Sequence, residues 1–238
     1  MNINLITNSK GGIGKSMIAA LLAQYIMGQG KNPLCIDTDP VNATFHGYKG
    51  LGVHHLQIME GDEIDPRKFD ELVELIASSN EDVIIDNGAS SFIALANYLI
   101  STDIPALLKD MGHQLIIHTV ITGGQALLDT VSGFSKLITQ FSGDVKFVVW
   151  LNPYWGTVEQ DGKSFTEFKA YKNNKDRVSA IVEIPSFQAQ TFGRDLSDML
   201  NAKQTFDEAL KTPSLSIVTR QRLTMIRREI FGRMAAIA

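Results

Sequence analysis

Residues 2–16 read NINLITNSKGGIGKS, and the reading of this stretch decides the fold. Residues 2–7 are a short β-rich run, residues 9–14 contain three glycines, and over 14–28 apolar residues recur at helical spacing. A strand, a glycine loop and a helix in that order aim backbone N–H groups and the positive end of a helix at one point, as a phosphate tail requires. In this arrangement Lys15 reaches the β- and γ-phosphates and the Ser16 hydroxyl ligates Mg²⁺.

Working outward, strand-like runs recur at 33–37, 53–59, 82–86, 114–120, 146–151 and 178–184. Helical patterns at 66–78, 90–100, 124–141 and 165–172 alternate with them. The runs VIID, QLIIHTV and KFVVWL are apolar on both faces, as expected of central strands covered by helices on each side. The alternation predicts an α/β fold with a doubly wound, mostly parallel sheet. After Pro185 the pattern is helical only and ends in a basic amphipathic helix over 214–238. No polar linker divides the chain, so residues 1–238 are read as one domain.

Composition narrows the function classes. The chain has 238 residues, 44% apolar and 20% charged, which is ordinary globular usage and excludes disordered or collagen-like scaffolds. Cys35 is the single cysteine, so a disulfide framework, a CxxC redox pair and an all-cysteine metal site within one chain are excluded. No apolar run reaches the ~18 residues of a membrane span, and a cytoplasmic protein is expected. The formal net charge is −4; residues 214–238 carry five arginines against Glu229, hence +4, leaving −8 on the rest. A mildly acidic body argues against non-specific nucleic-acid binding over the whole surface but leaves a local basic patch.

The loop Lys10-Gly11-Gly12-Ile13-Gly14-Lys15-Ser16 has a lysine where the general phosphate loop has its first glycine. In this it resembles the deviant Walker A motif, KGGxGK[ST], of the ParA/MinD family of ATPases. The run CIDTDPVNAT (35–44) is similar to that family's DxDPQGNAT segment, and VIID (83–86) to its Walker B strand. The resemblance implies a P-loop ATPase that dimerises with ATP and hydrolyses it slowly until a partner stimulates it. It implies that Lys10 reaches across a dimer interface to the partner subunit's ATP, where a second cation stabilises the charge developing on the transferred phosphoryl group. Asp39 would position the attacking water and touch the Mg²⁺ shell, with Asp37 in support, and Asp86 would hold the Mg²⁺ through water. The ATP-binding set becomes Gly11, Gly12, Ile13, Gly14, Lys15, Ser16 and Met17, with Asn152 on the adenine edge and Pro185 against the base. Asn87-Gly88-Ala89-Ser90 departs from the DTPP or DCPP of ParA proteins, while Gly88 still offers an N–H to the γ-phosphate. The absence of an NKxD signature favours ATP over GTP. The stretches VVWLNPYWG, Phe165–Tyr171 (FxxFKAY-like), TFGRDL and TFDEAL resemble the plasmid conjugal-transfer and stability proteins of the TraL/StbB group, which implies a DNA-binding adaptor as partner.

Other readings are weighed beside this one. Iron–sulfur carriers of the same loop type need cluster cysteines, which Cys35 alone does not provide. Bacterial tyrosine kinases of this fold carry a C-terminal tyrosine cluster, whereas the last tyrosine here is Tyr171. A metabolic ligase needs a substrate pocket rather than a dimer switch, and Lys10 speaks against it. His54 and His55 are adjacent on a strand and point to opposite faces, so no metal is assigned beyond Mg²⁺. In the last helix Leu223, Ile226, Ile230, Met234 and Ile237 form one apolar stripe flanked by arginines. It is read as docked on the domain, with non-specific DNA, a protein partner or a MinD-like membrane surface as alternatives. A nucleoid- or membrane-associated ATP state goes with those alternatives, and a weakly hydrolysing ATP-binding scaffold stands beside them. Trp150 is read as core; Tyr154, Trp155 and Gly156 form a candidate partner-facing cluster around the Asn152-Pro153 turn.

Overall fold

Seven strands form one sheet in the computed structural model, which describes residues 1–141 and 143–237. They are β1 (Asn2–Ile6), β2 (Leu34–Asp37), β3 (His54–His55), β4 (Val83–Asp86), β5 (Gln114–Thr122), β6 (Lys146–Asn152) and β7 (Val178–Glu183). The spatial order is β7-β6-β5-β1-β4-β2-β3, and every pairing in this sheet is parallel. The α/β, doubly wound arrangement expected from the alternation is what the chain adopts.

Nine helices cover the two faces among the described residues: α1 (Lys15–Gly28), α2 (Lys68–Ser78), α3 (Phe92–Ser101), α4 (Ile104–Asp110), α5 (Leu127–Gln140), α6 (Lys169–Lys172), α7 (Phe192–Asn201), α8 (Phe206–Lys211) and α9 (Ile217–Met234). Both faces of the sheet are buried, in separate cores. Ile6, Ile84, Ile116, Val120, Val148 and Trp150 pack with α1, α7, α8 and α9, while Leu5, Ile85, Ile117, Ile121 and Val149 pack with α2 to α5. Alternate residues of one strand thus serve opposite cores, which is why the central strands read as unbroken apolar runs.

Three expectations are corrected. The run 53–59 pairs with β2 only at His54–His55, because β2 ends at Asp37 and offers no partner beyond it. Leu56 N–H takes the Asp37 carbonyl (2.9 Å), and the chain then turns into a two-stranded hairpin, Met59–Glu60 with Glu63–Ile64. Residues 165–172 do not form one helix: Phe168 is extended (φ −66°, ψ 143°) and separates a 3₁₀ turn, Phe165–Glu167, from α6. The last helix runs Ile217–Met234 rather than 214–238, capped by Ser216, whose hydroxyl accepts from Thr219 N–H (3.1 Å); Ala238 lies outside the described residues. The stripe on α9 is docked, with Leu223, Ile226, Ile230 and Met234 all buried against the first core.

Candidate nucleotide-binding site

β1 sits where the strand order turns, with β4 and β2 to one side and β5 and β6 to the other, and open parallel sheets bind ligands at the strand ends beside such a point. The glycine loop starts there and is tied at both ends. Asn8 donates to Thr119 Oγ1 and to the Val120 carbonyl, both at 3.0 Å, and accepts the Lys10 N–H at 3.2 Å. At the other end Asn152 Nδ2 donates to the Ile13 carbonyl at 2.9 Å. Gly14 has φ +97°, and a Cβ there would meet Asn152 Nδ2 at 2.9 Å, so both conformation and contact demand glycine. Gly12 also takes the left-handed region (φ +71°); Gly11 is exposed beside it.

The two lysines of the loop are disposed differently. Lys15 is buried and its Nζ donates to the Lys10 carbonyl (3.0 Å), spanning the loop from inside. Burial lowers its pKa, with the charges of Asp86 and Asp39 pulling the other way. Lys10 points outward, its side chain 44% exposed, and pairs with Asp129 of α5 (2.9 Å; Asp129 60% exposed).

Three carboxylates close the other side. Asp86, at the end of β4, is buried, and neither of its oxygens has a hydrogen-bond partner of normal geometry. Burial pushes it up to about 7; the Ser16 hydroxyl and the Lys15 charge oppose the rise, and Asp37 and Asp39 add to it. A buried carboxylate without a partner, facing a hydroxyl, is a hard-oxygen donor set that fits a divalent cation, so Ser16, Asp86 and Asp39 would hold Mg²⁺. Asp37 is fully engaged: Oδ1 accepts the Asp39 N–H and Oδ2 the His46 N–H, both at 2.9 Å. Burial raises its pKa and those two bonds oppose the rise, which makes it a scaffold for the Asp39 turn. Asp39 Oδ1 holds its own loop through Val41 N–H (2.9 Å) and Asn42 N–H (3.1 Å). Its carboxylate lies on Gly88, where a Cβ would stand 2.7 Å from Asp39 Cγ.

The residues expected on the adenine side, Asn152 and Pro185, lie at the ends of β6 and β7. Asn152 Oδ1 accepts the Tyr154 N–H (3.2 Å) while its amide holds the loop, and Pro185 is buried just past β7. Met17 Cε lies near Gly14. Trp155 crosses back over the glycine loop, its Nε1 3.5 Å from the Gly12 carbonyl, and stays 60% exposed. This turn needs Gly123 and Gly124, where a Cβ would stand 2.1 Å from the Gly156 carbonyl oxygen and 2.5 Å from that of Trp155.

The loop lysines, Ser16, Asp37, Asp39, Asp86, Gly88 and Asn152 are therefore brought together, with Pro185 at a neighbouring strand end. Sequence reasoning noted Asn87 only as part of a departure from the family pattern and gave no role to Thr38 or Ser91, the three of which form a buried network between the carboxylates; it did not place Trp155 over the loop. The available signal was a pair of polar residues, Thr38 and Asn87, each following a buried strand carboxylate. A groove of about 740 Å³ lies elsewhere, between Ser186–Gln188, Phe192 and α9, and no loop residue lines it. The donor set, not the volume, marks the site.

Comparison with known proteins agrees with this geometry. Residues 5–226 match the family described as the CobQ/CobB/MinD/ParA nucleotide binding domain. The chain is 61% identical over 236 residues to Protein TraL of Escherichia coli, covering 99% of this chain and 98% of that one. It is 27% identical over 237 residues to Protein MobD of Acidithiobacillus ferrooxidans, covering 96% and 94%. Among solved structures, a chain of the Aquifex aeolicus MinC:MinD cell division protein complex superposes with a TM-score of 0.58 at 16% identity, covering 98% and 96% of the two chains. MinD of Pyrococcus horikoshii, complexed with Mg-ADP, gives 0.52 at 18% identity, covering 100% and 98%. Those likenesses extend the P-loop fold to the whole chain. By its matched domain and by close identity over nearly its full length, the chain belongs to the CobQ/CobB/MinD/ParA family of nucleotide-binding proteins.

Proposed function

We propose that this protein is an ATP-dependent dimerisation switch, an ATPase serving plasmid conjugal transfer, stability or positioning in the cytoplasm. The observation that carries the reading is the split between the two loop lysines: one buried beneath the loop among the carboxylates, the other turned to solvent and held by an exposed ion pair. Lys15 serves its own nucleotide. Lys10, its side chain turned to solvent and held by a surface ion pair, serves a nucleotide outside its own subunit. Hydrolysis adds water to the γ-phosphorus and breaks its bond to the β-γ bridging oxygen, giving ADP and phosphate. Asp39 orients that water, Gly88 offers its N–H to the γ-phosphate, and Lys15 and Lys10 stabilise the charge that spreads over the transferred group. Bound Mg²⁺ supplies charge neutralisation on the phosphate oxygens. Asn152 and Pro185 border the base. Loss of the γ-phosphate releases the dimer, and a DNA-binding adaptor reads the ATP state. With the stripe of α9 docked, its free side offers the exposed Arg228 beside the exposed Ile217, Val218 and Met225 for any contact with DNA or protein.

Light scattering of wild type, Lys10→Ala and Asp39→Ala in ADP and in ATP–Mg²⁺ tests this. Wild type is expected to be a monomer in ADP and a dimer in ATP. Lys10→Ala should bind ATP and stay monomeric, and Asp39→Ala should hold the dimer longer. A mass indifferent to nucleotide in all three proteins removes the switch.

A further inference from the structure

Asn87 follows the Walker B carboxylate directly, and its side chain is completely buried. All of its hydrogen-bonding capacity is in use. Nδ2 donates to Thr7 Oγ1 (3.1 Å) and to the Gly88 carbonyl (3.2 Å), while Oδ1 accepts from the hydroxyls of Thr38 (3.1 Å) and Ser91 (2.9 Å). Two donors and two acceptor positions are the full inventory of an amide side chain. Its partners belong to four separate pieces of the site. Thr7 closes β1 before the glycine loop, and Thr38 lies between Asp37 and Asp39. Gly88 is the surface on which the Asp39 carboxylate rests, and Ser91 precedes α3.

Two further observations show that this is a designed junction rather than incidental packing. Ser91 occupies the N-cap position of α3 but makes no side-chain cap bond; its hydroxyl is turned back to Asn87 Oδ1 and the Gly88 carbonyl (3.3 Å). Thr38 likewise shares its one hydroxyl proton between Asn87 Oδ1 and the Asp86 carbonyl, both at 3.1 Å. A helix cap forgone and a strand end tied to its neighbour both converge on one amide.

We propose that Asn87 is a positioning residue that clasps the glycine loop, the Asp39 turn, the Gly88 loop and the start of α3 into one unit, so that hydrolysis and the position of α3 change together. The proposal rests on the ATPase reading for its hydrolytic half only. A water held by Asp39 is aligned only if Asp39 keeps its seat on Gly88, and the clasp fixes that seat without touching nucleotide. A shift of the Gly88 loop passes through Ser91 to α3, whose first turn carries the exposed Ile93. The readable consequence is a defect in turnover without a defect in binding.

The test uses the full chain in three variants, Asn87→Ala, Thr38→Val and Ser91→Ala, plus the pair Asn87→Ala/Thr38→Val. Thr38→Val keeps the volume and removes one hydroxyl, so it carries the test even where Asn87→Ala folds poorly. Single-turnover hydrolysis should fall about tenfold or more in Asn87→Ala and Thr38→Val, the scale at which misplacing a catalytic group is felt, while the ATP dissociation constant stays within about threefold. The pair should lose no more than Asn87→Ala alone, since both changes open one network. Hydrogen exchange is read alongside, with and without a non-hydrolysable ATP analogue. Thr38→Val should speed exchange at the Leu95 amide, which bonds the Ser91 carbonyl (2.9 Å), as well as at Val41 and Asn42. Wild-type turnover in both Asn87→Ala and Thr38→Val, strictly additive losses in the pair, or exchange confined to the Asp39 turn would each overturn the clasp. A wild-type chain that binds ATP without hydrolysing it defeats the ATPase reading instead, and the exchange measurement then decides the clasp.

Discussion

His118 is buried at the centre of the sheet between Asn4 of β1 and Trp150 of β6. The indole N–H can only donate, so Nδ1 of His118 accepts it (3.0 Å) and Nε2 carries the proton given to Asn4 Oδ1 (3.0 Å). The Asn4 amide in turn donates to the Val83 carbonyl (3.1 Å). Burial drives the His118 pKa down to about 3, below its unfolded value near 6.5. The unfolded chain therefore takes up a proton that the folded chain refuses, and this contribution to stability falls as pH drops from about 6.5 towards 3, by on the order of a few kcal/mol in all. Asp86 acts in the opposite sense: its folded pKa of about 7 lies above the unfolded 3.8, so its contribution declines as pH rises through that interval. Urea titrations of wild type and His118→Leu at pH 7.5 and 5 separate the two. The variant should be less stable at pH 7.5 by about 1–3 kcal/mol for each polar atom left unpaired, and its deficit should shrink at pH 5. A deficit that does not change with pH would mean that His118 carries no proton linkage.

Among the elements, α9 shows how far a sequence pattern reaches. Its stripe is spent on packing: Ile226 is buried against the core that α1, α7 and α8 share, whereas Arg228 on the opposite side is exposed. Ile226→Ala should cost about 2–5 kcal/mol in chemical denaturation. Arg228→Ala should stay within about 0.5 kcal/mol of wild type. Equal small effects would mean that the helix is not docked in solution. The helix was legible because its stripe repeats at helical spacing, and the sheet because strands buried on both sides are continuously apolar. α4 was not read, although its signal was present: Asp103 in a left-handed turn (φ 51°) stops α3, and Pro105 in the first turn restarts the chain. The run 53–59 failed for a different reason, since a strand's length depends on what its neighbour offers and β2 stops at the site. The phosphate loop is visible in one line of sequence because its chemistry demands a fixed spacing. The clasp is not, because Thr7, Thr38 and Ser91 meet Asn87 only once the sheet has brought distant segments together.

At the scale of the whole molecule, the proposed switch depends on how readily Lys10 leaves its own subunit. Its bond to Asp129 is an exposed ion pair, of a kind worth about 0–1 kcal/mol and weakened further by salt. Asp129 therefore holds Lys10 in the monomer without locking it there. Asp129→Asn should favour the ATP-bound dimer; each dimer releases two such pairs, so the protein concentration for half-association falls by at most about thirtyfold, with the difference fading as salt is added. An unchanged or weakened dimer in sedimentation would show that Asp129 contributes to the assembled state instead. The charge division of the chain bears on the same scale: the basic C-terminal helix spends Arg222 on Asp195, Arg227 on Asp207 and Arg233 on Glu183, so much of its +4 is neutralised within the subunit.

The chain has two tryptophans, and the fold gives them opposite surroundings. Trp150 is sealed in the sheet core with its indole N–H bonded to His118, while Trp155 leans over the Gly12 carbonyl with most of its ring in water. An indole's emission shifts with the polarity around it, so the unlabelled protein holds a built-in optical reference and a built-in optical reporter. While the sheet is intact the first is expected to emit at a shorter wavelength than the second. The second sits on the loop that nucleotide, magnesium and a second subunit would each disturb, so their arrival can be followed in real time from the light of a single native side chain.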